Sequence, residues 1–251
     1  MTVTSSPNPD RVMPTGKWEF DEEVTAVFED MLARSIPDYA QMRALTTDLA
    51  LRYAVRDTYI VDLGCSRGGA LAPIVDALGT SCRYRGFEVS APMREAAAAR
   101  FAHLGPAYCR IEDVDLRKAL PVRNASVVLS VLTLQFTPIE YRQAIVQRAF
   151  DALVPGGALL LVEKVLGSDA EMDALLVERY YTMKGEHGYT AEQIAAKRES
   201  LEGVLVPITA EWNEHLLRRA GFAHVECYWR CLNFAGWVAV RPGRTYGDGG
   251  C

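Results

Sequence analysis

The sequence contains no apolar run approaching the roughly 20 residues needed to cross a bilayer, so no membrane-spanning helix is expected. It has no surplus of positive charge. Its 27 Lys and Arg stand against 32 Asp and Glu, a formal charge of −5, which gives no general drive toward nucleic acid or an anionic membrane. Residues Met1 to Thr15 are rich in Pro, Ser and Thr and lack an apolar h-region, so a signal peptide is not expected there. The six cysteines, at 65, 82, 109, 227, 231 and 251, lack zinc-like pairing. Cys227 and Cys231 have three residues between them, but no second pair or His-x-x-x-His completes a site. Reduced thiols in a cytoplasmic protein without a bound metal are the expectation. The four histidines, His103, His187, His215 and His224, fall at no predicted strand end, and no Ser-His-acid order is visible. There is no internal repeat.

What is present is enough apolar residue, 49%, for a substantial core in one large α/β domain or two small ones. Residues 1–15 read as a flexible arm. Val24, Val27, Phe28 and Met31 recur at helical spacing within Lys17 to Arg34, Pro37 ends that helix, and Ala40 to Tyr53 reads as a second. Strands then alternate with helices. Strands are predicted at 59–63, 83–88, 107–111, 126–131 and 158–163, and helices at 69–78, 92–102 and 138–153. This order gives a parallel sheet covered on both faces. Residues 168–204 read as a helical lid insertion, with helices from Asp169 to Lys184 and from Thr190 to Leu201. Glu211 to Ala220 is a further helix closed by Gly221. Val225 to Leu232 and Phe234 to Val240 form a final antiparallel pair, completing seven strands. Residues 241–251 read as a flexible tail, which leaves 16–240 as one domain with N-terminal helices over 16–56.

The stretch Ile60-Val61-Asp62-Leu63-Gly64-Cys65-Ser66-Arg67-Gly68-Gly69 reads as a buried strand ending in a tight turn that opens a helix. Gly64 would let backbone approach a ligand closely, and helix-start amides would point at it. Ser66 stands where a dinucleotide turn has its second glycine, which argues against NAD. Glu88 ends the second strand 24 residues past Gly64, where a carboxylate accepts from both ribose hydroxyls of a nucleoside. Asp115 follows the third strand and can accept from an adenine amino group, with Leu116 packing on the ring. Asp113 and Asp115 read equally well as turn acids. Pro155-Gly156-Gly157 turns a helix into a buried strand. The Asp-x-Gly turn, the strand-end acid, this Pro-Gly-Gly turn and an antiparallel last strand together resemble the Rossmann-like class I S-adenosylmethionine methyltransferase fold. Neither an Asn/Asp-Pro-Pro-Tyr stretch for base amino groups nor a Pro-Cys for the cytosine ring is present.

More specific stretches resemble the CmoA-type carboxy-S-adenosylmethionine synthase family. They are Trp18-Glu19-Phe20-Asp21-x-x-Val24-x-x-Val27-Phe28-x-Asp30-Met31-x-x-Arg34-Ser35-Ile36-Pro37-x-Tyr39, Asp62-Leu63-Gly64-Cys65-Ser66, Leu132-Thr133-Leu134-Gln135-Phe136, Glu163-Lys164, Gly188-Tyr189, Lys197-Arg198-x-x-Leu201-Glu202-x-Val204 and Cys231-Leu232-Asn233-Phe234. The resemblance implies an enzyme that takes S-adenosylmethionine and prephenate to carboxy-S-adenosylmethionine and phenylpyruvate. Prephenate loses CO2, and the cofactor methyl, deprotonated to a sulfonium ylide, captures it. The product serves wobble-uridine modification of tRNA, and the enzymes are homodimers.

The resemblance also implies cofactor contacts at Tyr39, Gly64, Cys65, Ser66, Asp115 and Leu116, and makes Arg198 the partner of the added carboxylate. A guanidinium suits that role, because it is always charged and holds a carboxylate with two parallel hydrogen bonds. The sequence departs from the family at Glu88-Val89, in place of Asp-Asn, at Val131, in place of Asn, and at Gly203, in place of Asn. Two other functions stay open on the sequence: an ordinary methyltransferase acting on a small molecule, with Tyr180, Tyr181, Tyr189 and Trp212 lining an acceptor pocket, and a protein that only binds the modified cofactor. Net acidity argues against direct tRNA binding in all three.

Overall fold

A computed structural model describes residues 16–243. The expected arm, most of the tail and Cys251 lie outside them. The chain forms α1 (Glu22–Ser35), α2 (Tyr39–Tyr53), β1 (Tyr59–Leu63), α3 (Ala72–Leu78), β2 (Arg83–Phe87), α4 (Ala91–Arg100), β3 (Cys109–Glu112), β4 (Ala125–Val131), α5 (Ile139–Ala152), β5 (Leu153–Leu166), α6 (Ala170–Glu186), α7 (Ala191–Leu201), β6 (Ile208–Thr209), α8 (Ala210–Ala220), β7 (His224–Cys231) and β8 (Phe234–Val240).

The sheet runs in the order β3-β2-β1-β4-β5-β8-β7. Strands β1 to β5 are parallel, and β8 lies antiparallel between β5 and β7. The seven expected strands are all there. An eighth, two-residue strand, β6, pairs with the end of β5 through Val165↔Ile208 and Leu166↔Thr209. It is too short to leave a period in the sequence. Alternation along the strands builds two cores. Val61, Leu63, Val128, Leu159 and Leu161 face α5 and α8 on one side, while Ile60, Tyr84, Val127, Leu129 and Leu160 pack with α3 and Ala50 of α2 on the other. The sheet order reverses between β1 and β4, so the carboxyl ends of those strands diverge and leave a crevice.

Four expectations need correction. The first helix starts at Glu22, not Lys17, because Asp21 caps it by accepting from Val24 N–H at 2.8 Å. Residues before the cap run as a strap instead, with Trp18 N–H donating to Ser200 O at 3.0 Å. The helix after the glycine turn starts at Ala72, three residues later than expected. Pro155-Gly156-Gly157 lies within β5 as an irregularity, where Ala125 pairs Leu153 but Val127 pairs Ala158. Arg241, assigned to the tail, is tied down: its N–H donates to Gly157 O at 2.9 Å, its carbonyl accepts from Gly156 N–H at 3.0 Å, and its guanidinium donates to Phe150 O at 3.1 Å and to Leu153 O.

Candidate functional site

The turn after β1 is held from two sides. Gly64 and Cys65 N–H both donate to Phe87 O, at 2.9 and 3.0 Å. Thr133, in the loop after β4, donates its hydroxyl to Leu63 O at 2.7 Å. Gly64 has φ +68, and a Cβ there would stand 2.5 Å from Thr133 Cγ2 and 2.7 Å from its Oγ1. The glycine is therefore required by the protein's own packing, whatever else approaches it. Ser66 also has positive φ, 46°, and its N–H donates to Glu88 Oε2 at 2.9 Å. Glu88 Oε1 accepts from Ser90 N–H at 2.8 Å, so this carboxylate clips the β1 turn to the β2 turn.

The loop after β4 hangs on a second buried acid. Glu163 of β5 accepts from the N–H groups of Thr133, Leu134 and Gln135 at 3.2, 2.8 and 2.8 Å. Burial pushes its carboxyl up to about 7, against the pull of those amides. Gln135 Oε1 in turn accepts from Lys164 N–H at 2.7 Å. Arg142, itself buried, donates to Thr137 O and Val206 O at 2.9 and 2.7 Å and fixes the far end of the same loop.

Between these two loops and the N-terminal strap lies a cavity of about 1060 Å³, its open mouth included. Its floor is Asp62, Gly64, Cys65, Ser66, Val131 and Leu132. Its roof is aromatic, with Phe20 edge-on to Trp18, Phe28 and Phe136 at centroid distances of 6.1, 6.2 and 5.2 Å. One polar atom in the floor is not satisfied: Asp62 Oδ2 is buried without a hydrogen-bond partner among the described residues. Burial pushes Asp62 up to about 7; the Arg43 guanidinium pulls it down and Glu88 adds to the rise. Such a carboxylate suits a ligand that brings an ammonium. Arg43 beside it donates to Gly69 O and suits the ligand's carboxylate.

A side chamber of about 860 Å³, mouth included, adjoins this cleft. Lys164, Tyr180, Lys197, Leu201 and Leu205 line both spaces. Lys184, Tyr181 and Arg198 line the chamber alone of the two. Lys184 is 3% exposed. Among the described residues no carboxylate comes within 4.0 Å of Lys164, Lys184, Lys197 or Arg198. The lysines lie over aromatic rings instead: Lys164 is 4.7 Å from the Tyr180 centroid, Lys184 is 4.9 Å from that of Tyr189, and Lys197 is 5.1 Å from that of Trp18. Lys197 also donates to Ser35 Oγ at 3.3 Å. Burial lowers Lys164 and Lys184 to about 8 and Lys197 to about 7, helped at Lys184 by Lys164 and at Lys197 by Lys184 and Arg34.

Tyr39, Gly64, Cys65, Ser66 and Val131 thus line one cleft. Arg198 is exposed and lines the chamber next to it. Glu88, Val89, Asp115 and Leu116 do not line the cleft. Val89 is 62% exposed, Leu116 packs against the core, and Asp115 is gripped by Arg117 through two hydrogen bonds of 2.9 and 2.8 Å. That grip holds the Asp115 carboxyl down at about 2. Burial keeps the Cys65 thiol protonated, so it offers no nucleophile. Tyr180 and Tyr181 line the chamber and Tyr189 lies under its lysines, but Trp212 is 47% exposed and lines neither space. Sequence reading assigned no role to Arg43 or to the three lysines. Arg43 follows Tyr39 by one helical turn and was open to discovery. The lysines come from three separate elements and share no local pattern. No group of acids, thiols and imidazoles able to hold a metal occurs among the described residues.

A family model for a methyltransferase domain matches residues 60–157. The carboxy-S-adenosyl-L-methionine synthase of Wolinella succinogenes is 40% identical over 227 residues, covering 90% of this chain and 94% of that protein. The synthase of the same name from Methylococcus capsulatus is 38% identical, covering 88% and 93%. That from Erwinia tasmaniensis is 35% identical, covering 97% and 98%. Among solved structures, an O-methyltransferase family protein from Burkholderia thailandensis matches with a TM-score of 0.63 at 18% identity, over 90% of this chain and 62% of that one. Human N-acetylserotonin methyltransferase in complex with SAM matches with a TM-score of 0.54 at 16% identity, over 90% and 60%. The structural likenesses show the class I methyltransferase fold and nothing finer.

Proposed function

Because the chain belongs to the carboxy-S-adenosyl-L-methionine synthase family, we propose that it converts S-adenosylmethionine and prephenate to carboxy-S-adenosylmethionine and phenylpyruvate. One observation carries this reading: a cleft with an unsatisfied buried carboxylate opens directly onto a chamber whose four cations have no carboxylate partner. A methyl donor alone carries a sulfonium, and cations beside it would be repulsive. A reaction that brings in an anionic donor and leaves a new carboxylate on the methyl carbon has use for them.

S-adenosylmethionine supplies a methyl group whose hydrogens are acidified by the adjacent sulfonium. The chain's residues do the rest by binding and exclusion. Asp62 takes the methionine ammonium and Arg43 its carboxylate. Glu88 keeps lone pairs for the ribose hydroxyls while clipping the two turns, and Asp115, shared with Arg117, accepts from adenine beside Leu116. Tyr39, Gly64, Cys65, Ser66 and Val131 surround the body of the cofactor, with Val89 able to contribute only backbone groups on the ribose side. Arg198 pairs with the added carboxylate. The Trp18, Phe20, Phe28 and Phe136 roof excludes water that would otherwise return a proton to the reacting carbon or disperse the CO2. The overall balance is closed: prephenate gives up CO2 and hydroxide, the methyl gives up one proton, and those two become water. The same reading carries a cytoplasmic homodimer whose product serves tRNA modification, without nucleic acid binding by this chain.

The test is the mass of the ligand that co-purifies, read by denaturing mass spectrometry, followed by addition of prephenate. Carboxy-S-adenosylmethionine with formation of phenylpyruvate is expected. Plain S-adenosylmethionine or S-adenosylhomocysteine with no phenylpyruvate would make the chain an ordinary methyltransferase; the carboxylated ligand with no turnover would make it a binder.

A further inference from the structure

Three lysines sharing a chamber is an expensive arrangement. Removing an ammonium from water carries a large desolvation penalty. A cation–π contact returns only part of that cost. Lys164 and Lys184 both lie over the Tyr180 ring, at 4.7 and 5.7 Å, and Lys184 and Lys197 both lie over Tyr189, at 4.9 and 5.8 Å. Phe234 lies 6.0 Å from Lys164 and Trp18 5.1 Å from Lys197, which also donates to Ser35 Oγ; rings and one hydroxyl are thus what three mutually repelling ammonium groups receive. The one acid whose field reaches Lys164 is Asp173, and a carboxylate oxygen of Asp173 already accepts from Gly167 N–H at 2.7 Å. The ammonium of Lys184, a residue 3% exposed, has no hydrogen bond to any described residue. The cofactor cannot settle this imbalance. Its methionine end is a zwitterion and its sulfonium adds a positive charge. The carboxylate gained in the reaction belongs with Arg198, which leaves the lysines uncompensated.

We propose that Lys164, Lys184 and Lys197 form the seat of the carboxyl donor in the side chamber and select it as a dicarboxylate. This deepens the function proposed above and rests on it. Lysines suit the task better than arginines would. Each is a point charge on a flexible stem, so the trio can follow two carboxylates that are not coplanar and then release a product that has lost one of them. Lys164 and Lys197 also line the cofactor cleft, so a donor held by them abuts the cofactor across the shared wall of Tyr180, Leu201 and Leu205. A monocarboxylate such as phenylpyruvate satisfies only one ammonium and leaves two unpaired. The same contacts therefore favour donor over product.

The test uses the full chain loaded with S-adenosylhomocysteine, which has no methyl to react, and titrates prephenate and phenylpyruvate by calorimetry. Wild-type protein is expected to bind prephenate at least tenfold more tightly than phenylpyruvate. Lys184→Met, which keeps length and removes charge, should weaken prephenate at least tenfold while S-adenosylhomocysteine affinity stays within twofold, because Lys184 does not line the cofactor cleft. Lys184→Arg should restore most of the loss. A Met variant that binds prephenate as tightly as wild type overturns the assignment and leaves the proposed reaction standing. A Met variant that loses both ligands alike, with no rescue by Arg, makes Lys184 structural and also overturns it. Wild-type protein that binds no prephenate overturns the assignment together with the reaction, and that failure shows before any substitution is made.

Discussion

Gly64→Ala tests whether the β1 turn is shaped by a ligand or by the protein. The residue sits at φ +68, a left-handed conformation that costs a side-chain-bearing residue about 1–2 kcal/mol. The new Cβ would meet Thr133 Cγ2 at 2.5 Å and Oγ1 at 2.7 Å. Thr133 cannot simply swing away, since its hydroxyl donates to Leu63 O at 2.7 Å and its backbone N–H is held by Glu163. Overpacking of this kind costs about 1–3 kcal/mol. The single variant is therefore expected to lose about 2–5 kcal/mol in ligand-free urea unfolding. Thr133→Ala alone gives up one hydrogen bond, about 1 kcal/mol. In the double variant the overlap is gone and the φ cost and lost hydrogen bond remain, about 2–3 kcal/mol. The cycle should thus show a favourable coupling of about 1–3 kcal/mol between positions 64 and 133. Losses that simply add within 0.5 kcal/mol would refute the packing argument, and a single variant as stable as wild type would refute the strain argument as well.

The buried acids make three further expectations together with Arg198. Asp62 holds its proton up to about 7 when folded but only to about 3.8 when unfolded, so over that window the unfolded chain binds fewer protons and stability falls as pH rises, by up to about 4 kcal/mol. Asp62→Asn should flatten that slope in ligand-free protein, Glu163 leaving a remnant of the same sign, and should weaken S-adenosylmethionine at least tenfold; denaturation midpoints at pH 5 and pH 8 that move in parallel with wild type would contradict it. Glu163→Gln turns one of two acceptor oxygens into a donor facing backbone N–H groups, and about 2–4 kcal/mol of stability should go with it, read by urea unfolding, with no loss meaning that the loop after β4 does not hang on this carboxylate. Arg198→Ala should abolish retention of carboxy-S-adenosylmethionine through purification and leave S-adenosylmethionine affinity nearly unchanged, and equal loss of both would remove the assigned role.

The parts of this molecule that could be read from the sequence are those in which cause and effect are neighbours. Ile60-Val61-Asp62-Leu63 is a strand fed into glycine, and both the burial of its apolar residues and the turn follow from a few consecutive positions. The class of sheet followed from alternation, and the antiparallel β7–β8 pair from two apolar runs joined through Asn233. Local reading failed where a longer-range partner decided. The amphipathic pattern of α1 extends back to Lys17, but the Asp21 cap starts the helix later and frees Trp18 to bond Ser200 of the lid. Gly64 was read as room for a ligand, yet the nearest obstacle is Thr133, some 70 residues on. Arg241 carried no periodic signal because its anchors are carbonyls of Phe150 and Leu153. Lys164, Lys184 and Lys197 come from β5, α6 and the α7 lid helix, and only folding reveals that all three face one chamber.

That division of charge has a consequence for how the two ligands meet. The cleft floor offers the buried acid Asp62, while the chamber sets four cations against one acid, Glu202, and the two share a wall. An incoming sulfonium is favoured by the floor and opposed by Lys164 and Lys197; an incoming dianion reverses both signs. Each ligand therefore removes the field that opposes the other, and the coupling is reciprocal by linkage. It is also coupled to protons. Lys197 at about 7 and Lys164 and Lys184 at about 8 are partly neutral in the empty site at neutral pH, and a dianion draws their protons back. Cofactor and donor thus stabilise the filled site jointly, whereas either one alone leaves like charges facing each other across Tyr180 and Leu201.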